Sequence, residues 1–168
     1  MSYGVSGSGS LLPDIPDDPE VLFTNFLMAI WDDTVSGVPK AEINFGYEPD
    51  INTTERYVIK IEEIDNEDFS PDLADRYTQD EFYMNCHIWE RDASIHSTTA
   101  GMARWKMRRY IKRVIKQNCR TGIVVGGNRY IKHLYLIGGG NVPEPEQTDW
   151  HHTVIVFKMV TWLVDAST

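Results

Sequence analysis

The sequence predicts an α+β fold: a mostly antiparallel sheet of about five strands, packed by a long amphipathic basic helix and an N-terminal helix. Residues 81–91 alternate between two kinds of side chain, which is typical of a strand with one buried face. Residues 97–118 instead show helical periodicity, and two strand patterns follow at 129–137 and 151–164. With 168 residues, 42% of them hydrophobic, the chain is long enough for one domain with a core.

The domain is expected to start near residue 19. Residues 1–18 are rich in Gly, Ser, Pro and Asp, a composition that predicts a flexible N-terminal arm. Asp18 can cap a helix and Pro19 fits its first position, so a helix is expected over residues 19–33. Residues 19–168 are then a single domain.

The strands on either side of the basic helix differ in their surroundings. Segments 41–47 and 55–64 alternate in polarity and are expected to pair, while 62–81 carries nine acids and one base and predicts a solvated loop. Gly138 to Gly140 are expected to end the strand at 129–137. The last strand, 151–164, is apolar on both faces, so its second face needs cover from the N-terminal helix or from a neighbouring subunit.

The basic helix concentrates positive charge in an acidic chain of net charge -9. Seven of the 16 Lys and Arg residues lie between residues 100 and 118, where there is no Asp or Glu. One side of the helical wheel is apolar and is expected to face the sheet. The other side permits three interpretations, a solvated face, a protein interface or a nucleic-acid site, and the tryptophan among its charges favours the interface. The candidate interface residues are Trp105, Arg109, Lys112, Arg113 and Lys116.

No pattern in the sequence predicts catalysis. A nucleophile elbow, a phosphate-binding loop, a dinucleotide fingerprint and HExxH are all absent, and the glycine-rich stretches do not lead into helices. His151 and His152 are neighbours without a partner at i+2 or i+4, so a structural or interface role is expected and no metal or cofactor is predicted. We therefore expect a protein that is not an enzyme.

Two features bear on the compartment. The two cysteines are too few for a disulfide framework, and Cys86 falls on the buried face of its strand, so free thiols are expected. The N-terminus lacks the pattern of a secretory signal, and the most apolar stretch, 154–164, is too short for a membrane helix. The sequence predicts a soluble protein without a membrane partner.

The order of elements resembles the tail terminator and tail-to-head joining proteins of long-tailed phages and related viruses. The likeness covers about residues 57–165. It lies in a strand ending IWERDAS, an amphipathic helix, a glycine-broken hairpin and a last strand entered through WHHTVIVFKMVTWLV, near Asp149 and His151. In that family an extended strand ends in a similar "IW" and small polar residues.

The resemblance implies a structural protein of the virion neck, assembled in the host cytoplasm. It implies a homo-oligomeric ring, usually of six subunits, that ends the tail tube and joins it to the head connector or adaptor, while viral DNA passes through without specific binding. The alternatives are another head-tail connector, a tail-tube component, or a nucleic-acid-associated binding module that uses the basic helix 97–118. An enzyme is the third functional class, after a neck protein and a binding module.

Within such a ring, the acidic segment 62–81 has three possible roles. It is a solubilising loop, it lines the opening through which DNA passes, or it meets the basic helix of the adjacent copy. The candidate residues for the latter two roles are Asp65, Glu67, Asp68 and Asp72.

Overall fold

The computed structural model describes residues 18–46, 56–67, 77–91, 102–118, 123–124, 129–143 and 150–164. The predicted N-terminal arm and the segment between 92 and 101 lie outside these residues. The elements in chain order are α1 (Pro19–Ile30), α2 (Asp33–Ser36), a 3-10 turn (Lys40–Glu42), β1 (Ile43–Gly46), β2 (Tyr57–Glu67), β3 (Tyr77–Arg91), α3 (Met102–Gln117), β4 (Ile123–Val124), β5 (Arg129–Val142) and β6 (Trp150–Val164).

Within the described residues the strands form one sheet in the order β1-β2-β3-β6-β5-β4. β1 pairs with β2 in parallel, and every other neighbouring pair is antiparallel. β4 has only two residues, so five strands make up nearly all of the sheet. The mostly antiparallel α+β fold predicted from the sequence is therefore confirmed.

Helix α1 begins where its capping residues place it. Asp18 accepts hydrogen bonds from the backbone N–H groups of Glu20 and Val21, at 2.9 and 3.3 Å, and Pro19 occupies the first turn. The helix ends at Ile30 rather than at 33, because Asp32 caps the separate short helix α2. The α1 side chains pack on the sheet, with the Phe23 ring 4.4 Å from that of Phe157 in β6.

Both α1 and α3 pack on the same face of the sheet, and their apolar side chains form one core with the inward side chains of β2, β3, β5 and β6. In β3, Met84, Cys86 and Ile88 face this core and are fully buried. Alternate residues of the same strands point to the other face, which we call the open face. Because α1 packs on the core face, it does not cover the second apolar face of β6, which lies on the open face of the sheet.

Three predicted strand boundaries are also wrong. β2 continues to Glu67 and β3 starts at Tyr77, so the ends of the acidic segment predicted as a loop are paired strands, with a register shift between Glu63 and Asp65. Pairing with β6 also carries β5 through the glycine run. Gly139, at φ 128°, lies so close to β6 that a Cβ atom placed there would be 2.1 Å from the Val154 carbonyl oxygen.

Candidate interface on helix α3

Helix α3 has two distinct sides. Five apolar or aromatic side chains face the core and are buried: Met107, Tyr110, Ile111, Val114 and Ile115. On the other side Trp105 is 52% exposed, and the side chains around it are basic. The structure therefore presents a large aromatic ring to solvent within a positively charged surface, a combination found at protein interfaces.

Hydrogen bonds help to fix α3 against the rest of the subunit. The Tyr110 hydroxyl donates to the Ile30 carbonyl at 2.7 Å and accepts from the Asp32 backbone N–H at 3.1 Å. At the other end, the buried carboxylate of Glu90 accepts from the Arg104 backbone N–H at 3.0 Å, which satisfies one of the free donors in the first turn. These bonds hold the exposed side of α3 in one position, as a recognition surface requires.

The neighbours of Tyr110 determine both the position of its ring and the pKa of its hydroxyl. Its ring lies 4.9 Å from that of Trp31 in an edge-to-face arrangement. Burial raises the pKa of the Tyr110 hydroxyl, so this group keeps its proton and continues to donate to the Ile30 carbonyl at neutral pH.

The exposed side of α3 borders an open depression of about 650 Å³, which we call the α3 groove. The side chains that line it are Trp105, Arg108, Arg109, Lys112, Arg113, Lys116 and Gln117. Arg109 lies over the Trp105 ring, with its guanidinium carbon 5.4 Å from the ring centre, a cation–π contact. The structure thus places all five predicted interface residues along one groove.

Positive charge in the α3 groove is not neutralised within the described part of the chain, where no carboxylate forms an ion pair with Arg109, Lys112, Arg113 or Lys116. Partial burial lowers the pKa of the Lys112 amine, and the nearby charges of Arg108 and Lys116 lower it further. An anionic partner would relieve this repulsion, so the groove suits a negatively charged surface.

The predicted acidic residues are not brought to the α3 groove by the described structure. Asp65 and Glu67 lie in β2, but the structure describes only their backbone. Asp68 and Asp72 lie outside the described residues. The structure therefore leaves the role of this segment as a prediction.

The open face carries a side-chain cluster that sequence reasoning missed. His87 Nδ1 lies 2.8 Å from His152 Nε2, and His87 Nε2 lies 2.8 Å from a carboxylate oxygen of Glu62. The Trp89 ring stacks on His152 at 4.3 Å and 13°. The two histidines are 65 residues apart in the sequence, so the cluster becomes visible only when β3 pairs with β6. In the sequence, the available signal was that each histidine alternates with the buried residues of its own strand.

A second open-face cluster surrounds Lys158. Its amine forms an ion pair with Glu81 at 2.8 Å and lies 6.0 and 5.7 Å from the ring centres of Tyr83 and Tyr135. The hydrogen bond to Glu81 raises the pKa of Lys158, which therefore stays charged at neutral pH. Tyr135 and Ile137 are about half exposed, at 47% and 54%, beside an open depression of about 410 Å³. This part of the open face is both aromatic and solvent-accessible.

Among the residues that the structure describes, no group of three or more His, Cys, Asp or Glu side chains is arranged to hold a metal ion. In the same part of the chain, no helix combines the length and apolar character needed to cross a membrane. Comparison with known proteins adds no assignment, since no protein-family model and no curated protein matches the chain.

Proposed function

We propose that the protein is a structural subunit of a viral neck, which assembles into a closed ring, of six copies by the family resemblance, that ends the tail tube and joins it to the head connector. The observation that carries the proposal is the α3 groove: an exposed tryptophan among cations that form no ion pair with a described carboxylate, on a chain of net charge -9. Such a surface is suited to bind an acidic partner, and outside α3 the chain itself carries 25 acidic residues against nine basic ones.

Ring closure also requires two different surfaces on each subunit, since a head-to-tail contact joins unlike patches. The subunit has a long amphipathic helix, α3, over one face of its sheet, so the α3 groove and the open face point in opposite directions. The open face offers half-exposed Tyr135 and Ile137 as apolar contact area. These two surfaces support a heterologous contact between copies or with neck partners.

In this role the protein works by shape and charge rather than by turnover. Its partners are other copies of itself, the tail-tube protein and the head connector or adaptor, and its location is the neck of the virion after assembly in the host cytoplasm. Viral DNA passes through the ring, and acidic side chains near the opening would keep the duplex from adhering because carboxylates repel phosphates.

The proposal is tested by the size and shape of the purified protein. Light scattering in moderate salt should detect a multimer, either for the protein alone or after tail-tube protein is added, and negative-stain images should show rings. The variant that tests the α3 groove is the triple substitution Arg109→Gln, Lys112→Gln and Lys116→Gln. It should stay folded and assemble less well than the wild type. A protein that stays monomeric with tail tubes and head connectors present contradicts the proposal.

A nucleic-acid-associated binding module is the second candidate, because the same cations of the α3 groove would bind phosphates. A gel-shift assay with duplex DNA at several salt concentrations separates the two. DNA binding whose affinity falls steeply as the salt concentration rises supports the binding module. The steepness of the fall is set by the number of phosphates that the protein neutralises. Rings without such binding support the neck subunit.

A further inference from the structure

We propose that His87 and His152 form a site for a divalent transition-metal ion such as Zn²⁺ or Cu²⁺ on the open face of the sheet. The site is separate from the α3 groove, and it does not depend on the proposed neck function. The evidence is the close approach of two imidazole nitrogens and the way in which neighbouring side chains orient both rings.

The register between β3 and β6 brings the two rings together. His152 lies directly opposite Trp89, and His87 lies opposite Val154, so the histidines are diagonal neighbours on the same face. Their facing nitrogens, His87 Nδ1 and His152 Nε2, are 2.8 Å apart. Because both strands continue through this point in a 15-residue ladder, the backbone holds the pair in place.

Glu62 fixes the orientation of His87. Its carboxylate oxygen accepts the His87 Nε2–H at 2.8 Å, which leaves Nδ1 facing His152. A carboxylate bound to the far nitrogen of a histidine is the arrangement that orients metal-binding imidazoles and raises their basicity.

A second contact holds Glu62 in this position. Its other carboxylate oxygen lies 3.6 Å from the Lys60 amine. The carboxylate is therefore held between His87 and Lys60.

Packing helps to hold the ring of His152. It is 7% exposed and stacks against Trp89, while the His87 side chain is 16% exposed and reaches the surface of the open face. An ion therefore approaches a pair of rings that are already ordered, one of which opens to solvent.

Both the spacing of the two nitrogens and the directions of the two rings must adjust to admit an ion. Two imidazole nitrogens bound to tetrahedral Zn²⁺ at about 2.0–2.1 Å are about 3.3 Å from each other, so the pair must open by about 0.5 Å. Imidazole is a preferred ligand of Zn²⁺ and Cu²⁺, and the remaining coordination positions would be filled by water or by a donor from another molecule. The described residues supply two protein ligands.

Acid should compete with metal at this site, because a protonated imidazole has no lone pair to offer an ion. Among the described residues, the charged groups that face the pair are Glu62 and, behind it, Lys60, whose amine is 3.6 Å from Glu62. Affinity should therefore fall as the pH is lowered.

The test uses the full chain without a polyhistidine tag, freed of metal with a chelator. Calorimetric titration with ZnCl₂ should give one ion per chain. The electron paramagnetic resonance spectrum of the wild-type protein with one equivalent of CuCl₂ should show coupling to two imidazole nitrogens, a readout that needs no variant. Both signals should weaken on acidification.

Three variants localise the site. His87→Ala should abolish both signals, and Glu62→Gln should weaken binding 10- to 100-fold because it removes the orienting charge. His133→Ala removes a histidine elsewhere on the same face and should bind like the wild type. Binding that survives His87→Ala, or wild-type protein that binds neither metal, overturns the proposal and leaves a pair that shares only a proton.

Discussion

At the scale of single residues, Gly139 is a position where the fold has no room for a side chain. Its φ of 128° is rarely adopted by residues with a Cβ atom, and that atom would meet the Val154 carbonyl at 2.1 Å. We expect Gly139→Ala to lower the free energy of unfolding by about 2 kcal/mol or more, measured by urea denaturation.

The control for this change is one residue away. A Cβ atom at Gly138 meets nothing within 4 Å, so Gly138→Ala should change stability by no more than about 0.5 kcal/mol. Equal effects of the two substitutions would mean that β5 does not approach β6 as described.

Cys86 illustrates how burial decides the chemistry of a residue. The thiol is fully buried in β3, and burial raises its pKa, so the reactive thiolate does not form at neutral pH. We expect Cys86 to resist iodoacetamide in the native protein and to react in denaturant. Peptide mass mapping checks this separately from Cys119, and rapid native labelling of Cys86 would contradict its burial.

At the scale of elements, the two sides of α3 differ in burial. Trp105 is 52% exposed and Ile111 is fully buried. Ile111→Ala should therefore lower stability by roughly 2–5 kcal/mol, while Trp105→Ala should leave the melting temperature nearly unchanged.

The same pair of variants should behave in the opposite way in assembly. Trp105→Ala should weaken ring formation, since truncating an interface anchor commonly costs about 2 kcal/mol or more in binding. Calorimetric melting and light scattering measure the two effects. If Trp105→Ala unfolds the protein, or if it assembles like the wild type, Trp105 is not an interface anchor.

The elements also show which features a sequence reveals. The helical period of α3 puts Met107 and Ile111 on its buried side, and the alternation of β3 puts Cys86 there, because both signals are local. The glycine run in β5 misled the prediction, since pairing with β6 outweighs a local turn signal. The His87–His152 contact could not be predicted, because it depends on which strands become neighbours.

At the scale of the whole molecule, the separation of charge predicts how copies meet. Replacing Asp65, Glu67, Asp68 and Asp72 with Asn or Gln should weaken the ring in a salt-dependent way if these acids pair with the α3 groove of the next copy. If they line the opening, the ring should form normally, but the particles should deliver DNA more slowly. Light scattering at two salt concentrations and infectivity distinguish the outcomes.

A charge-exchange experiment identifies the partner of the acidic segment. Lys112→Glu with Lys116→Glu should weaken assembly, and Lys substitutions at Asp65 and Glu67 should restore it if the two regions touch across copies. If neither assembly nor infectivity changes in the variant that lacks these four acids, the acidic side chains serve only to keep the surface solvated.

The long pairing of β3 with β6 has a mechanical consequence. The two strands are joined over 15 residue pairs, and antiparallel hydrogen bonds run perpendicular to them. Tension applied between residues 77 and 150 slides one strand along the other and loads all these bonds together, whereas tension between residues 77 and 164 opens them one after another. Single-molecule pulling should therefore require much more force in the first geometry. A subunit built in this way resists stretching along its strands and peels apart from the end where residues 77 and 164 meet.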